Sequence, residues 1–374
     1  MQIPLVSQER LASATKVLFI VPLVLQDFQY IQTYLRAFKQ QWPHAELHVW
    51  LDDARRTRFF WRWKRLQRHA LYDWLHANDI FNKVYAKTYS PGVYKASVRE
   101  ARAYNYPVVV SLARVQPHRY ARLARTISPH GFVVGTRDAT SIVQQFKRWQ
   151  YRHFDAALNL ASVQGEHITD VYAAMFEQFF GLVVATGNRA PFIVIPRQWV
   201  VYASLTLLKW GVNRKQPGAG KIVFVNTFSY NAQRCWPLQK AFDLIRQMQA
   251  MTEYSNAYFI VYTEPEHYRE SLNLYYEHAI GNTQLFSARE SFFQLPAMLS
   301  LCDIIVSVES SVIHLATALG KPVIALMRQN NAAWLPWNCQ RSCIVTAAKR
   351  ADRITTISVA AVKDGVLMYS HKQR

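Results

Sequence analysis

A chain of 374 residues is too long for one ordinary core, and two domains of roughly 150–200 residues each are expected. Its 51% apolar content excludes a disordered chain, and no apolar run approaches the length that spans a bilayer. Lys and Arg number 44 against 24 Asp and Glu, a formal charge of +20. That field draws an anionic partner, whether nucleic acid, membrane surface, phosphorylated glycan or nucleotide, without choosing among them.

The opening "MQIPLVSQERLASATK" lacks the apolar core of a signal peptide. Four cysteines are scattered (Cys235, Cys302, Cys339, Cys343), and no His or further Cys completes a metal set beside the last two. Inert thiols in a reducing cytoplasm are expected.

In chain order, "KVLFIVPLVL" (16–25) predicts a buried parallel strand that breaks at Gln26-Asp27. A helix follows, with Phe28, Ile31, Tyr34, Leu35 and Phe38 on one face and Pro43 as its stop. "AELHVWL" (45–51), "YNYPVVVSLA" (104–113) and "GFVVGT" (131–136) read as further strands. Residues 168–180 carry a strong helix pattern that ends at Gly181. Turn-rich segments in 182–220 flank a helical stretch at 197–210, and the chain is divided there into domains 1–190 and 191–374. Strands at 221–228, 257–263, 302–308 and 322–327 then alternate with helices at 238–251, 265–279 and 312–319. Strand–helix alternation in both halves predicts an α/β protein of two Rossmann-like domains, their parallel sheets facing across a cleft.

Ligands of open parallel sheets bind outside the carboxyl ends of the strands, which selects four corners. At the first, Asp27 reads either as a cap for the following helix or as a general base able to take a proton from a hydroxyl. At the second, "NTFSYNAQRCWPL" (226–238) brings Thr227, Ser229 and Arg234 to a helix start. Hydroxyls, free amides and an arginine there suit a diphosphate, and a chance polar loop is the alternative. The third corner runs from Thr263 to Glu266. At the fourth, "SVESSVIHLATALGKPVIALM" (307–327) places Glu309, Ser310, Ser311 and His314 at a strand-to-helix corner. A serine can cap that helix, Glu309 can hold a sugar hydroxyl, and a helical histidine such as His314 is usually a core or supporting residue.

One further segment stands apart. "RRTRFFWRWKRLQRH" (55–69) holds seven Lys and Arg, four aromatics and no acid. Arg55, Arg56, Arg58, Arg62, Lys64, Arg65 and Arg68 with these rings fit an anionic acceptor or membrane surface. They also fit a solvated helix whose rings pack inward under arginine stems. Nucleic acid is not expected, because no recognised binding module accompanies the patch.

Three motifs in order resemble those of the ADP-heptose:lipopolysaccharide heptosyltransferases, glycosyltransferase family 9. These are Gln26-Asp27 after the first strand, Arg234-Cys235-Trp236-Pro237 after the first strand of the second half, and the run from Glu309 through His314 to Pro322. The helix after His167 is also similar. The resemblance implies a GT-B fold and inverting, metal-independent transfer of a sugar from a nucleotide diphosphate, with no cofactor beyond an ADP-linked donor. It implies Asp27 as the base, Ser229 and Arg234 on the diphosphate, Glu309, Ser310 and Ser311 at the donor sugar, and Glu266 near the ribose. The implied acceptor is an anionic glycolipid of the lipopolysaccharide core type, reached by a cytoplasmic protein at the periphery of the inner membrane. The family's glycines stand here as Gln26 and Ser311, its aspartate as Glu309, and Arg328-Gln329-Asn330-Asn331 follows the strand at 322–327. These departures leave open another nucleotide sugar, or a weak or silent relative that binds nucleotide or glycan.

Overall fold

The computed structural model describes residues 3–372 except 22–24, 53–55, 68–69, 139–150, 164, 215, 217, 279, 330 and 338–340. It divides into two compact units, Met1–Arg189 and Ala190–Arg374.

The first unit contains β1 (Lys16–Val21), β2 (Glu46–Leu51), β3 (Lys83–Tyr85), β4 (Val108–Ser111), β5 (Phe132–Arg137) and β6 (Ala156–Asn159). They pair in parallel in the order β3-β2-β1-β4-β5-β6, with Phe19 of β1 between Val49 and Val110. The second contains β7 (Ile222–Asn226), β8 (Tyr258–Tyr262), β9 (Thr283–Phe286), β10 (Ile304–Val308), β11 (Val323–Met327) and β12 (Ser342–Thr346). Their order, β12-β11-β10-β7-β8-β9, repeats the same doubly wound topology. In each sheet the order reverses beside the unit's first strand, at β1/β4 and at β7/β10. Ligands bind at such reversals, where neighbouring loops leave the sheet in opposite directions.

The interior strands are the expected apolar runs, and β4, β7, β10 and β11 are buried along their whole length. The first strand is shorter than expected. It ends at Val21, and the helix that follows starts at Leu25, so Asp27 lies within its first turn rather than ahead of it. Among the described residues four strands have no counterpart in the expected set, namely β3, β6, β9 and β12. All four are the edge strands of their sheets, where no long apolar run is required.

Helix Leu25–Gln41 is held on β1 by an aromatic cluster. Phe19 meets Phe38 edge-on at 5.1 Å, and Phe180 meets Phe38 at 4.8 Å. Phe180 belongs to helix Ile168–Phe180, whose bounds match the expectation at both ends. His167 caps its start by accepting from the Thr169 amide, and Gly181 ends it at φ +69°, a conformation that favours glycine. Tyr34 donates its hydroxyl hydrogen to the Thr169 carbonyl at 2.6 Å, locking the two helices together.

Candidate functional site

The packing of those two helices sets the first corner. Tyr172 projects from helix Ile168–Phe180 and donates to Asp27 Oδ1 at 2.8 Å. Arg114, three residues beyond the end of β4, approaches the same oxygen at 3.6 Å. Asp27 therefore joins the loops after β1 and β4 across the reversal point. Burial raises its pKa above the usual carboxylate value, while the Tyr172 hydrogen bond and the Arg114 charge pull the other way. The Tyr172 hydroxyl is itself pushed far up by burial, with the Asp27 charge adding to it, and so stays a proton donor. A carboxylate with a raised pKa, partly exposed and steadied on one oxygen, can accept a proton through its other oxygen.

The corresponding corner of the second unit joins the loops after β7, β10 and β11. Glu309 lies one residue beyond β10 and is only 2% exposed. Its Oε1 accepts from Asn331 Nδ2 at 2.6 Å and pairs with Arg234 and Arg328 at 3.1 Å each. Its Oε2 accepts from the Arg328 Nε at 3.3 Å and from the Arg328 amide at 3.4 Å. A carboxylate offers about four lone-pair sites, so both oxygens already hold protein donors. In this geometry Glu309 anchors two guanidinium groups, those of Arg234 and Arg328.

Arg234 sits at the end of a single 3-10 turn, Ala232–Arg234, which Asn231 caps. Trp236 fixes the segment behind it: its indole donates to the Ile357 carbonyl at 3.0 Å, and its amide to the Thr227 carbonyl at 2.9 Å. Pro237 occupies the N-cap position of helix Leu238–Gln249. The Arg234 Nε–H is buried and has no hydrogen-bond partner among the described residues. Ser229 donates its hydroxyl to the Glu309 carbonyl oxygen at 3.1 Å, drawing its loop onto the β10 corner.

Ser310 caps helix Ser311–Ala318 by accepting from the Val312 amide, and also accepts from Asn226 Nδ2 at 2.9 Å. Ser311 is the first residue of that helix and is half-buried. His314 is buried one turn further on, edge-on to Trp334 at 5.7 Å, which is a core position. Thr227 is buried, and Glu266 is exposed in the turn before helix Tyr268–His278. Two residues earlier, burial raises the Glu264 pKa, against a hydrogen bond from Tyr262. Phe228 and His267 pack at 5.3 Å beside this corner.

The structure thus brings Ser229, Arg234, Glu309 and Ser310 together. Sequence reasoning missed Tyr172, Arg114, Asn226 and the contacts of Arg328 and Asn331. The strand-end rule, applied to β4, would have found Arg114; Tyr172 carries no local signal, since its spacing to Phe176 reads as core. Among the described residues no cluster of His, Cys, Asp and Glu could hold a metal ion, and no helix is long and apolar enough to cross a membrane.

The basic segment departs from the helix with inward rings. It is an extended stretch, a 3-10 turn (Phe60–Arg62) and a four-residue helix (Trp63–Leu66). Arg56, Arg58, Arg62 and Lys64 are exposed, Arg55 and Arg68 lie outside the described residues, and so does the side chain of Arg65.

Residues 201–358 match the family model described as glycosyltransferase family 9 (heptosyltransferase). No curated protein sequence matches the chain significantly. Among solved structures, a family 9 glycosyl transferase from Veillonella parvula superimposes with TM-score 0.73 at 14% identity, over 96% of this chain and 98% of that one. The E. coli ADP-heptose lps heptosyltransferase II gives 0.66 at 13% identity, over 96% and 99%. E. coli heptosyltransferase WaaC with ADP gives 0.64 at 14% identity, over 96% and 98%. At such identities the superpositions speak for the fold alone, which is the GT-B fold. Residues 201–358 thus carry a match to glycosyltransferase family 9 (heptosyltransferase) on a GT-B fold, which supports a glycosyltransferase.

Proposed function

We propose that the protein is an inverting, metal-independent transferase that moves a sugar, heptose from ADP-heptose in the leading form, onto an anionic glycolipid of the lipopolysaccharide core type. The observation that carries this is Arg234, held against Glu309 at 3.1 Å near the start of helix Ser311–Ala318, its Nε–H buried without a partner. A guanidinium and a helix N-terminus offset the charge that builds on a departing diphosphate. Ser229 and Ser310 add hydroxyls, Thr227 shapes the loop, and the Phe228 and His267 rings offer a face on which a base can stack. Asp27 takes the proton of the acceptor hydroxyl as its oxygen attacks the anomeric carbon and the carbon–oxygen bond to the diphosphate breaks. Tyr172 and Arg114 hold Asp27 in place for that step. E. coli WaaC was solved with ADP, which supports an adenine nucleotide here. The lipid-linked acceptor puts the work of a cytoplasmic protein at the periphery of the inner membrane.

A different nucleotide sugar is the second reading. It is favoured by the occupied oxygens of Glu309, which change how a donor sugar is met. A thermal-shift panel of ADP, GDP, UDP and CMP with their sugar conjugates, run beside Arg234→Ala, separates the readings. A ligand at about 100 times its Kd adds ~2.7 kcal/mol. A shift for ADP that vanishes in Arg234→Ala supports the first reading, and a shift for another nucleotide supports the second. No shift from any nucleotide overturns both and leaves a silent relative. Asp27→Ala is expected to abolish transfer while nucleotide binding persists; transfer at the parental rate removes Asp27 as the base.

A further inference from the structure

The segment 56–66 presents something that neither unit's reversal point explains. Phe59, Phe60 and Trp61 are 50%, 69% and 63% exposed. Among the described residues no other run of consecutive large apolar side chains is exposed. The rings pack on one another: Phe59 lies 4.8 Å from Trp61, and Phe60 meets it edge-on at 5.3 Å.

The base of the segment is tied down. Arg56 lies 3.6 Å over the Tyr94 ring, and the Thr57 amide donates to the Tyr89 carbonyl. The Trp63 indole donates to the Thr57 carbonyl at 3.0 Å, and Gln67 Nε2 donates to the Tyr89 hydroxyl at 3.1 Å. A frame held at both ends therefore pushes three rings into solvent. Around them stand the exposed cations Arg58, Arg62 and Lys64, and no acid occurs between Asp53 and Asp73.

We infer that this segment is a bilayer-insertion surface, whose three rings enter the headgroup boundary of an anionic membrane while Arg58, Arg62 and Lys64 hold the lipid phosphates. Amphipathic rings flanked by cations are what the membrane interface selects. The arginine and lysine stems lie along apolar surface while their charges reach phosphate. Two other occupants fit less well. Single-stranded nucleic acid needs open ring faces on which bases stack, whereas these rings cover one another. A second copy would set like charges against each other, since the segment carries no acid to answer its cations. The inference deepens the membrane-periphery part of the proposed function and does not depend on its transfer chemistry.

The test is co-sedimentation of the full chain with vesicles of phosphatidylcholine alone and with about a third phosphatidylglycerol. Wild type is compared with Phe59→Ser/Phe60→Ser/Trp61→Ser and with Arg58→Glu/Arg62→Glu/Lys64→Glu. Because these side chains are exposed, both variants should melt with the wild type, which serves as the folding control. Wild type is expected to bind the anionic vesicles and not the neutral ones. The ring variant should bind them about tenfold more weakly or worse, and the charge-reversed variant not at all. A ring variant that binds like wild type overturns the inference, since the +20 field would then act from anywhere on the surface. So does displacement of the protein from vesicles by a random single-stranded oligonucleotide, or ring-dependent self-association without lipid. The assay contains neither donor nor acceptor, so a failure here leaves the transferase reading where it stands.

Discussion

Glu309→Gln tests whether this acid is an anchor or a sugar contact. The substitution keeps the side chain's shape but removes the charge facing Arg234 and Arg328 and places an amide N–H₂ among their donors. Breaking a fully buried ion pair costs about 3–5 kcal/mol, and a hydrogen bond to a charged group contributes ~1.5–3 kcal/mol. Here the acid is 2% exposed while the two arginine side chains are 30% and 23% exposed. Water can rehydrate part of what the guanidinium groups lose, so the expected loss is discounted to about 2–3 kcal/mol. For a unit of this size that lowers the melting temperature by roughly 5–10 °C. Differential scanning calorimetry of wild type and variant reads it directly. Pyrophosphate should then stabilise the variant more than the wild type, because an added anion replaces the lost countercharge. A loss below ~0.5 kcal/mol, the size of an ordinary surface change, would refute the anchor and return the carboxylate to the donor sugar.

Asp27 carries a sign that can be checked. Its pKa in the folded protein is raised above 3.8 by burial, so the folded state binds its proton more tightly than the unfolded state. Stability then falls as pH rises from 3.8 through the folded value. Asp27→Asn should therefore melt above wild type at neutral pH, with the advantage shrinking as pH falls through the folded value and gone below 3.8; an advantage that is constant with pH would contradict this. Tyr172→Phe removes a hydrogen bond that holds the same pKa down, and the acid limb of the transfer rate should move to higher pH. An unmoved limb would mean that another group titrates there. Gly220→Ala would drive a Cβ into the backbone carbonyl of Asn256, whereas Gly187→Ala meets nothing within 4 Å. The first is expected to lose more than ~2 kcal/mol in a denaturant melt and the second to stay near neutral; equal losses would refute the assignment.

Much of the scaffold was legible because its causes are local. β1, β7, β8, β10 and β11 lie in parallel sheets whose faces the connecting helices cover, so their sequences are largely continuous apolar runs, and helix Ile168–Phe180 carries its own cap and its own glycine stop. The corners at Asp27, Arg234 and Glu309 follow from strand ends alone. The edge strands β3, β6, β9 and β12 were not legible, since a strand paired on one side only asks less of its sequence. Nor were the partners that define each corner: Tyr172 meets Asp27 across 145 positions, and Arg328 reaches back 19 to Glu309. Sequence could show that rings and cations alternate at 55–69, but their direction depends on Tyr89 and Tyr94, which hold the frame from another part of the chain. Sequence by itself determined the strand–helix alternation and where its polar corners fall, because burial and capping act between near neighbours. Tertiary structure alone decided that Glu309 anchors two arginines, that Tyr172 steadies Asp27 and that the rings of 59–61 face outward, because those partners meet only when the chain folds back on itself.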